Sequence, residues 1–213
     1  MNQNLINLSP DSQVIGQGVF CTCYLHLGDP DLCIKLPTSH RKASKRQSTD
    51  RAYYLKLHKQ KANFTHIADY LGECETSLGP GHLYQHVRDH DGETSKTVNS
   101  YFETQPETAE ELIEHLVRLG RYLLKNLILI SDLHGNNVLF QQLGGTDRRL
   151  MIVDGIGDRV AFTATNVFSS VKQGKIIRRW NRFIRRLHLD HPSITFSKEK
   201  LNLGEGHSCA THG

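Results

Sequence analysis

The segment at residues 131–140, Ser-Asp-Leu-His-Gly-Asn-Asn-Val-Leu-Phe, holds the side chains best suited to chemistry. Asp132 and Asn137 lie five residues apart in a polar stretch, which we predict to be a loop. A carboxylate can accept a proton from a reacting hydroxyl, and an amide oxygen can bind a metal ion. On spacing alone, a loop stabilised by local Asp and Asn hydrogen bonds explains the segment better.

Asp154 supplies a second carboxylate. It follows the hydrophobic residues 151–153 directly and precedes two glycines, so we expect it at the end of a buried strand. Carboxylate oxygens are ligands that Mg²⁺ prefers. Together with Asp132 and Asn137, it favours a metal-binding catalytic cluster over an ordinary loop.

Two weaker signals come earlier in the chain. Gly16 and Gly18 lie in a strand-turn-strand pattern, where absent side chains would let backbone N–H groups approach phosphates, although a simple hairpin turn also explains them. Lys35 follows in an apolar strand-like stretch. An ammonium group in such surroundings needs a partner, because burying it unpaired is costly.

The elements that carry these residues differ between the two halves of the chain. Residues 12–36 alternate between apolar and polar types and predict short strands. Residues 42–59 predict a basic helix, whose more apolar face carries Ala52, Tyr53, Leu55 and Leu57. Residues 66–74 and 82–88 predict two further strands, joined by a turn at residues 79–81. The turn-rich residues 89–92 then form a plausible lobe boundary and hinge.

Helical patterns dominate the second half. A capping box at residues 108–111 starts a long buried helix that runs to about Asn126, and a hairpin with strands at 138–140 and 150–153 surrounds Gly144 and Gly145. The last predicted helix, at 171–187, has an apolar face with Trp180 and a basic remainder. Residues 188–213 have low apolar density and predict a flexible tail.

Length and composition limit the classes of protein. A chain of 213 residues with 38% hydrophobic and 23% charged residues fits one domain or one domain of two lobes, and excludes a disordered or fibrous protein. We expect no membrane span and a cytoplasmic location, because no stretch approaches 20 apolar residues and the start lacks an export pattern. The five cysteines lack metal-ligand spacing and are expected to be reduced.

Charge is unevenly distributed although the net value is only +4. Residues 35–61 contain nine Lys or Arg and one acid, and residues 171–186 contain seven and no acid, whereas residues 101–117 contain five Glu and no Lys or Arg. Basic blocks can bind nucleic acid or anionic membranes, but a solvated helix face explains them at least as well.

The order of these signals resembles the protein-kinase-like superfamily, and more closely the small bacterial family described as PhoP regulatory network protein YrbL. The resemblance covers about residues 12–187 and rests on seven segments: IGQGVFCTCY, LCIKL, DRAYYLKL, LYQHVRDHDG, LISDLHGNNVL, MIVDGIGD and RRWNRFI. It implies an α+β, two-lobed kinase-like fold, with a small β-rich N-lobe of one helix at about 12–88 and an abbreviated helical C-lobe at about 93–187.

The resemblance also implies a role for each candidate residue, with ATP and Mg²⁺ as cofactors. The nucleotide would bind at Gly16, Gly18 and Lys35, with Asn137 and Asp154 holding Mg²⁺. Asp132 would be the catalytic base, and Asp50 would pair with Lys35. The sequence departs from the kinase pattern at Cys21, which stands at the third glycine position, and at Asp50, which is one methylene shorter than the usual Glu.

Three functions follow as hypotheses. The first is an ATP- and Mg²⁺-dependent phosphotransferase with an unknown acceptor, either a small molecule or a protein. The second is a pseudokinase-like regulatory protein that acts on a partner through its basic helices. The third is nucleic-acid binding through residues 178–186, which we consider unlikely because it rests on charge alone. The sequence does not indicate an oligomeric state.

Overall fold

The computed structural model describes residues 5–9, 12–158, 169–197 and 201–203. It is an α+β structure whose N-terminal part is rich in sheet. The strands are β1 (Val14–Gln17), β2 (Cys21–Leu25), β3 (Leu32–Pro37), β4 (Tyr70–Thr76), β5 (Gly79–Gln85), β6 (Val138–Gly144) and β7 (Asp147–Ile152). The four α-helices of the described residues are α1 (Ala43–Lys59), α2 (Val98–Thr104), α3 (Ala109–Lys125) and α4 (Ser169–Asp190).

The first five strands form one antiparallel sheet in the order β1-β2-β3-β5-β4. The predicted turn at residues 79–81 is wrong, because these residues belong to β5 and the turn lies at Ser77 and Leu78. Pro80 is tolerated inside β5 because β3 pairs only with residues 82–85 of that strand. Gly81 is needed there, since an added Cβ would lie 2.8 Å from Leu36.

Helix α1 confirms the predicted basic helix, but its buried face differs from the predicted one. Leu55 is 46% exposed and Ala52 is also exposed, whereas Tyr54 and Leu57 are buried. The hydroxyl of Tyr54 donates a hydrogen bond to the carbonyl of Ala68 at 3.0 Å, which satisfies its polar end inside the core. The face was mispredicted because the helix has too few apolar residues to define one.

Helix α3 and the hairpin β6–β7 confirm their predicted positions. The expected capping box does not form, because the Thr108 hydroxyl donates to the carbonyl of Gln105 and Glu111 pairs with Arg148 of β7 at 2.6 Å. The hairpin turns at Gly145 and Thr146, directly after Gly144, the last residue of β6. The φ angles of Gly144 and Gly145, 109° and 57°, favour glycine.

Helix α4 buries one face through Ile176, Trp180, Phe183 and Leu187, and it continues to Asp190. The chain after it also packs on the core, where Ile194 and Leu201 are buried. The described part of residues 188–213 thus contacts the core, and the flexibility of this segment stays a prediction. Residues 204–213 lie outside the described residues.

The main hydrophobic core is continuous across the predicted lobe boundary. It joins buried residues of the first sheet, such as Tyr84, to those of α3, α4 and the second hairpin. The predicted hinge is anchored to β6, because Asp89 Oδ1 accepts hydrogen bonds from the Ser95 hydroxyl and the backbone N–H of Gln142. Within the described residues, none of the helices has the length and apolar character required to cross a membrane.

Candidate functional site

A cleft of about 470 Å³ lies between the first sheet and the loops that flank β6 and β7. It collects six of the seven candidate residues of the sequence on its lining: Gly16, Gly18, Lys35, Asp132, Asn137 and Asp154. These residues come from the β1–β2 region, β3, the loop after α3, and the end of β7. The fold therefore brings together side chains that are up to 138 residues apart in the sequence.

Lys35 and Asp154 form an ion pair across the cleft, with Nζ 3.5 Å from Oδ1. Nζ also donates a hydrogen bond to the carbonyl of Val153 at 2.6 Å and lies 4.5 Å from the centre of the Tyr84 ring. Burial lowers the pKa of Lys35, but the carboxylate of Asp154 together with the ionisable groups of Tyr84, Cys21 and Cys23 outweighs burial, and the pKa is raised. The lysine is thus held as a cation at the floor of the cleft.

The pKa of Asp154 is lowered, so this carboxyl is ionised at neutral pH. Burial acts in the opposite direction, and the charge of Lys35, the N–H of Gly155 and the charge of Arg46 together outweigh it. The site consequently keeps a permanent negative charge next to a permanent positive one.

Asp132 makes an ion pair that the sequence did not reveal. Arg46 of α1 places its guanidinium 3.1 Å from Oδ2 of Asp132, and this guanidinium also lies 4.7 Å from the centre of the Phe20 ring. The Arg46 side chain is only 15% exposed. One arginine therefore links α1 to the β1–β2 turn and to the loop after α3. Its position in a basic block favours a solvated helix face or a nucleic-acid or membrane contact, and does not predict an ion pair inside the cleft.

Asn137 is oriented by its own loop. Its side-chain amide nitrogen donates to the main-chain carbonyl of Asp132 at 2.9 Å, and its backbone carbonyl accepts from the N–H of Val153 at 3.0 Å. The nitrogen end of the amide is thus engaged, so a cation would be bound through the oxygen end.

Gly155 allows the two carboxylate-bearing segments to approach each other. Its φ is +75°, and an added Cβ would lie 2.8 Å from the Cβ of Asp132. Ser131 fixes the contact, because its N–H and its hydroxyl both donate to the carbonyl of Gly155, at 2.6 and 3.0 Å. The glycine after Asp154 is therefore a packing requirement of the site.

Asp50, the seventh candidate, is not on the lining of the cleft. It lies on α1, and its charge contributes to raising the pKa of Tyr84 and Cys21, both of which face the same region. The carboxylate that contacts Lys35 at 3.5 Å is Asp154. Pairing between Lys35 and Asp50 stays a prediction.

His134 and three cysteines also line the cleft. Burial lowers the pKa of His134 although the charge of Asp132 opposes this, so the imidazole is neutral at pH 7. Cys21, Cys23 and Cys33 are free thiols, as is Cys74 elsewhere, while Cys209 lies outside the described residues. Burial raises the pKa of Cys21 and keeps it in the thiol form at neutral pH.

No group of three or more His, Cys, Asp or Glu residues in the described part of the chain is arranged to hold a metal ion. The oxygen ligands on the lining include the carboxylate of Asp132, which contacts Arg46, and a pair formed by the carboxylate of Asp154 and the amide of Asn137. Such a pair cannot enclose a cation by itself, but it suits an ion that keeps water molecules and is shared with a bound anion.

The geometry defines an α+β protein with a charged cleft, in which two ion pairs bring together residues from the first sheet, α1 and the loops of the second hairpin. The chain belongs to the family described as PhoP regulatory network protein YrbL, which matches residues 6–188. Curated relatives from Escherichia coli strain K12 and from Shigella flexneri, both described as "Uncharacterized protein YrbL", are each 29% identical over 200 residues. These alignments cover 92% of this chain and 92% of each relative.

Proposed function

We propose that the protein is an ATP- and Mg²⁺-dependent phosphotransferase with a two-lobed, protein-kinase-like fold. The N-lobe would span about residues 12–88 and the C-lobe about residues 93–187, with the hinge at 89–92. One observation carries the proposal: the Lys35–Asp154 ion pair lies in the same cleft as Asp132 and Asn137, which Gly16 of β1 and Gly18 of the segment after it also line.

The glycines favour a ligand that approaches the backbone closely. A Cβ added to Gly16 would meet its nearest neighbour at 3.8 Å, and one added to Gly18 at 3.7 Å, which are ordinary contacts. Neither glycine has a φ in the left-handed region. Glycine weakens a strand, so its use at Gly16 without a packing reason supports a role in admitting phosphate groups.

The ionic groups also fit a magnesium nucleotide. Lys35 would bind phosphate oxygens, while Asp154 and the amide oxygen of Asn137 would hold Mg²⁺, which is commonly bound by one or two protein oxygens plus phosphate and water. When bound, ATP supplies the phosphoryl group, and Mg²⁺ neutralises charge on its phosphates.

Asp132 would accept the proton of the acceptor hydroxyl at a carboxylate oxygen. Its side chain is 34% exposed, so it can be reached from the cleft. Arg46 would hold the carboxylate in place and would add a positive charge beside the position of the phosphates. His134 would remain neutral and would contact the bound ligand through hydrogen bonds.

The acceptor would be a small molecule or a protein side chain, and the reaction would occur in the cytoplasm. Nucleic acid is an unlikely partner, because Arg179 of the basic helix α4 turns inward to Asp158 at 2.6 Å rather than adding to a continuous basic surface.

The decisive experiment measures nucleotide binding and ATP hydrolysis separately, because hydrolysis requires no knowledge of the acceptor. Asp132→Asn should keep the affinity for Mg²⁺-ATP within about threefold of wild type and remove nearly all hydrolysis, since a base acts in the transition state.

Asp154→Asn should abolish the enhancement of nucleotide binding by Mg²⁺, and Asn137→Ala should weaken it less. Lys35→Ala should lower the affinity severalfold or more.

A second candidate is a pseudokinase-like regulatory protein, and the Arg46–Asp132 ion pair favours it. The guanidinium of Arg46, 3.1 Å from Oδ2, already contacts the carboxylate that a phosphotransferase would use to accept the hydroxyl proton. This candidate predicts that wild type binds the nucleotide well but hydrolyses no ATP above background at millimolar Mg²⁺. The phosphotransferase proposal would be contradicted if Lys35→Ala bound the nucleotide as tightly as wild type. It would also be contradicted if wild type bound no nucleotide.

A further inference from the structure

A second cavity, of about 760 Å³, shares none of its lining residues with the cleft. It lies along α1, the segment after it, the end of α3 and the start of α4. Helix α1 contributes one stripe of residues at spacings of three or four: Lys45, Ser48 and Thr49, Ala52, Lys56 and Gln60. Its volume falls in the range of about 300–1,000 Å³ that is usual for small-molecule sites.

The cavity combines an apolar wall with a cationic rim. Leu57 and Leu129 are buried in its wall, and four lysines line it: Lys45, Lys56, Lys61 and Lys172. Among the described lining residues, Asp158 is the one acid. Its carboxylate contacts Lys175 at 2.9 Å and Arg179 at 2.6 Å, so its charge is shared with two cations of α4.

Two of these lysines, Lys56 and Lys172, are close enough to repel each other. Burial and the positive charge of Lys56 both lower the pKa of Lys172, which lies across the cavity on α4. The C-terminal ends of α1 and α3 contribute about half a negative charge each, which is less than the charge of four lysines. Among the described lining residues the four lysines outnumber the one acid, and we expect this excess of cationic groups to favour an anionic ligand.

Two backbone positions at this cavity are strained in the same way. Lys61 and Leu127, with φ of 51° and 52°, are the non-glycine residues with positive φ in the described part of the chain. Each directly follows the cap of a helix, and the next N–H closes the turn, from Ala62 to Leu57 and from Ile128 to Leu123. Glycine is the favoured residue at such positions.

The side chains retained at these two positions both line the cavity. Lys61 adds an ammonium group to the rim, and Leu127 adds apolar surface to the wall. Glycine would relieve the backbone strain at both positions, yet the protein has Lys and Leu there. Contact of each side chain with a ligand would explain this, because strained backbone persists where function requires it.

We propose that this cavity binds a small anionic amphiphile, a molecule with one carboxylate, sulfonate or phosphate group and an apolar body. The lysines of the rim would bind the anionic group, and the leucines of the wall would cover the apolar body. The site does not depend on phosphotransferase activity, since the cleft contributes none of its residues.

The test uses the full chain and isothermal titration with decanoate below its micelle concentration. We expect one binding site per chain. Decanol, which lacks the charge, and inorganic phosphate, which lacks the apolar body, should each bind at least tenfold more weakly. Equal binding of decanol or of phosphate, or several equivalent sites per chain, would overturn the proposal.

Variants locate the site. Lys61→Gly should weaken decanoate binding at least threefold while the melting temperature stays constant or rises, because glycine removes the strain. The double variant Lys56→Gln with Lys172→Gln should weaken it at least tenfold. Lys59→Gln is the matched control, since Lys59 is exposed in the last turn of α1 and does not line the cavity. Wild-type affinity in Lys61→Gly, or an equal loss in Lys59→Gln, would show that the binding occurs elsewhere.

Discussion

Arg46 of α1 and Asp132 of the loop after α3 form an ion pair of 3.1 Å although 86 residues separate them in the sequence. The pair joins the helix beside the first sheet to the loop that carries two of the candidate site residues, Asp132 and Asn137. It lies next to the Lys35–Asp154 pair, so two cations and two carboxylates balance each other in the cleft. A ligand with phosphate groups and a divalent cation would exchange partners with both pairs.

A double-mutant cycle measures the coupling between Arg46 and Asp132. Each of Arg46→Met and Asp132→Asn should reduce the free energy of unfolding, since each leaves a partly buried charge without its partner. The coupling energy should be about 1 kcal/mol, because the Asp132 side chain is partly exposed and solvent screens the pair. Urea denaturation of the four proteins gives this value. Additive effects within about 0.3 kcal/mol would show that the contact contributes nothing to stability.

Gly16→Ala tests whether the glycine is required for stability or for nucleotide binding. The added methyl group has an ordinary contact at 3.8 Å, so the free energy of unfolding should stay constant or rise by up to about 1 kcal/mol. The affinity for Mg²⁺-ATP should fall at least threefold. The matched control is Gly174→Ala in α4, where an added Cβ meets nothing within 4 Å. Gly174→Ala should also stabilise the protein but leave the affinity for Mg²⁺-ATP unchanged. An equal loss of affinity in both variants would contradict a role of Gly16 in nucleotide binding.

Trp180 is expected to be the most sensitive position of α4. It is 1% exposed, its ring nitrogen donates to the carbonyl of Leu201 at 2.8 Å, and Gly120 of α3 leaves room for the ring. Trp180→Ala should cost about 3–5 kcal/mol or give a molten protein, as measured by circular dichroism during urea denaturation. Arg182→Ala, on the exposed side of the same helix, should change stability by less than about 0.5 kcal/mol. A loss above about 1.5 kcal/mol at Arg182 would indicate a buried ion pair.

Asp158 predicts a specific dependence of stability on acid pH. Burial alone would raise its pKa, but hydrogen bonds from Lys175 and Arg179 lower it to about 2. The pKa in the unfolded chain is about 3.9, so the carboxylate stabilises the fold above about pH 4, and this stabilisation is lost as the pH falls towards 2. The difference in unfolding free energy between wild type and Asp158→Asn should be on the order of 2 kcal/mol at pH 6 and should shrink towards pH 2. A constant difference over this range would contradict the ion pairs.

Local pattern was sufficient to predict most elements of the fold. The alternation of residues 12–36 predicted the first three strands, and the apolar spacing of α3 predicted a helix with nearly the observed ends. Both signals are local, because side-chain direction repeats with a period of two in a strand and 3.6 in a helix. Helix α1 shows the limit: its ends were predicted, but its buried face was not, since packing partners distant in sequence decided which residues became buried.

In the candidate site, too, part could be predicted from local sequence and part depended on the tertiary structure. Residue type and spacing identified Lys35, Asp132, Asn137 and Asp154, because charged or amide side chains in strand-end and loop positions stand out in an apolar sequence. Tertiary structure alone decided which charges meet: Asp154 contacts Lys35, and Arg46 contacts Asp132. Nothing in the local sequence around Arg46 distinguishes it from its basic neighbours. Ion pairing depends on distances through space, and those are determined only when the sheet, α1 and the second hairpin pack on a common core.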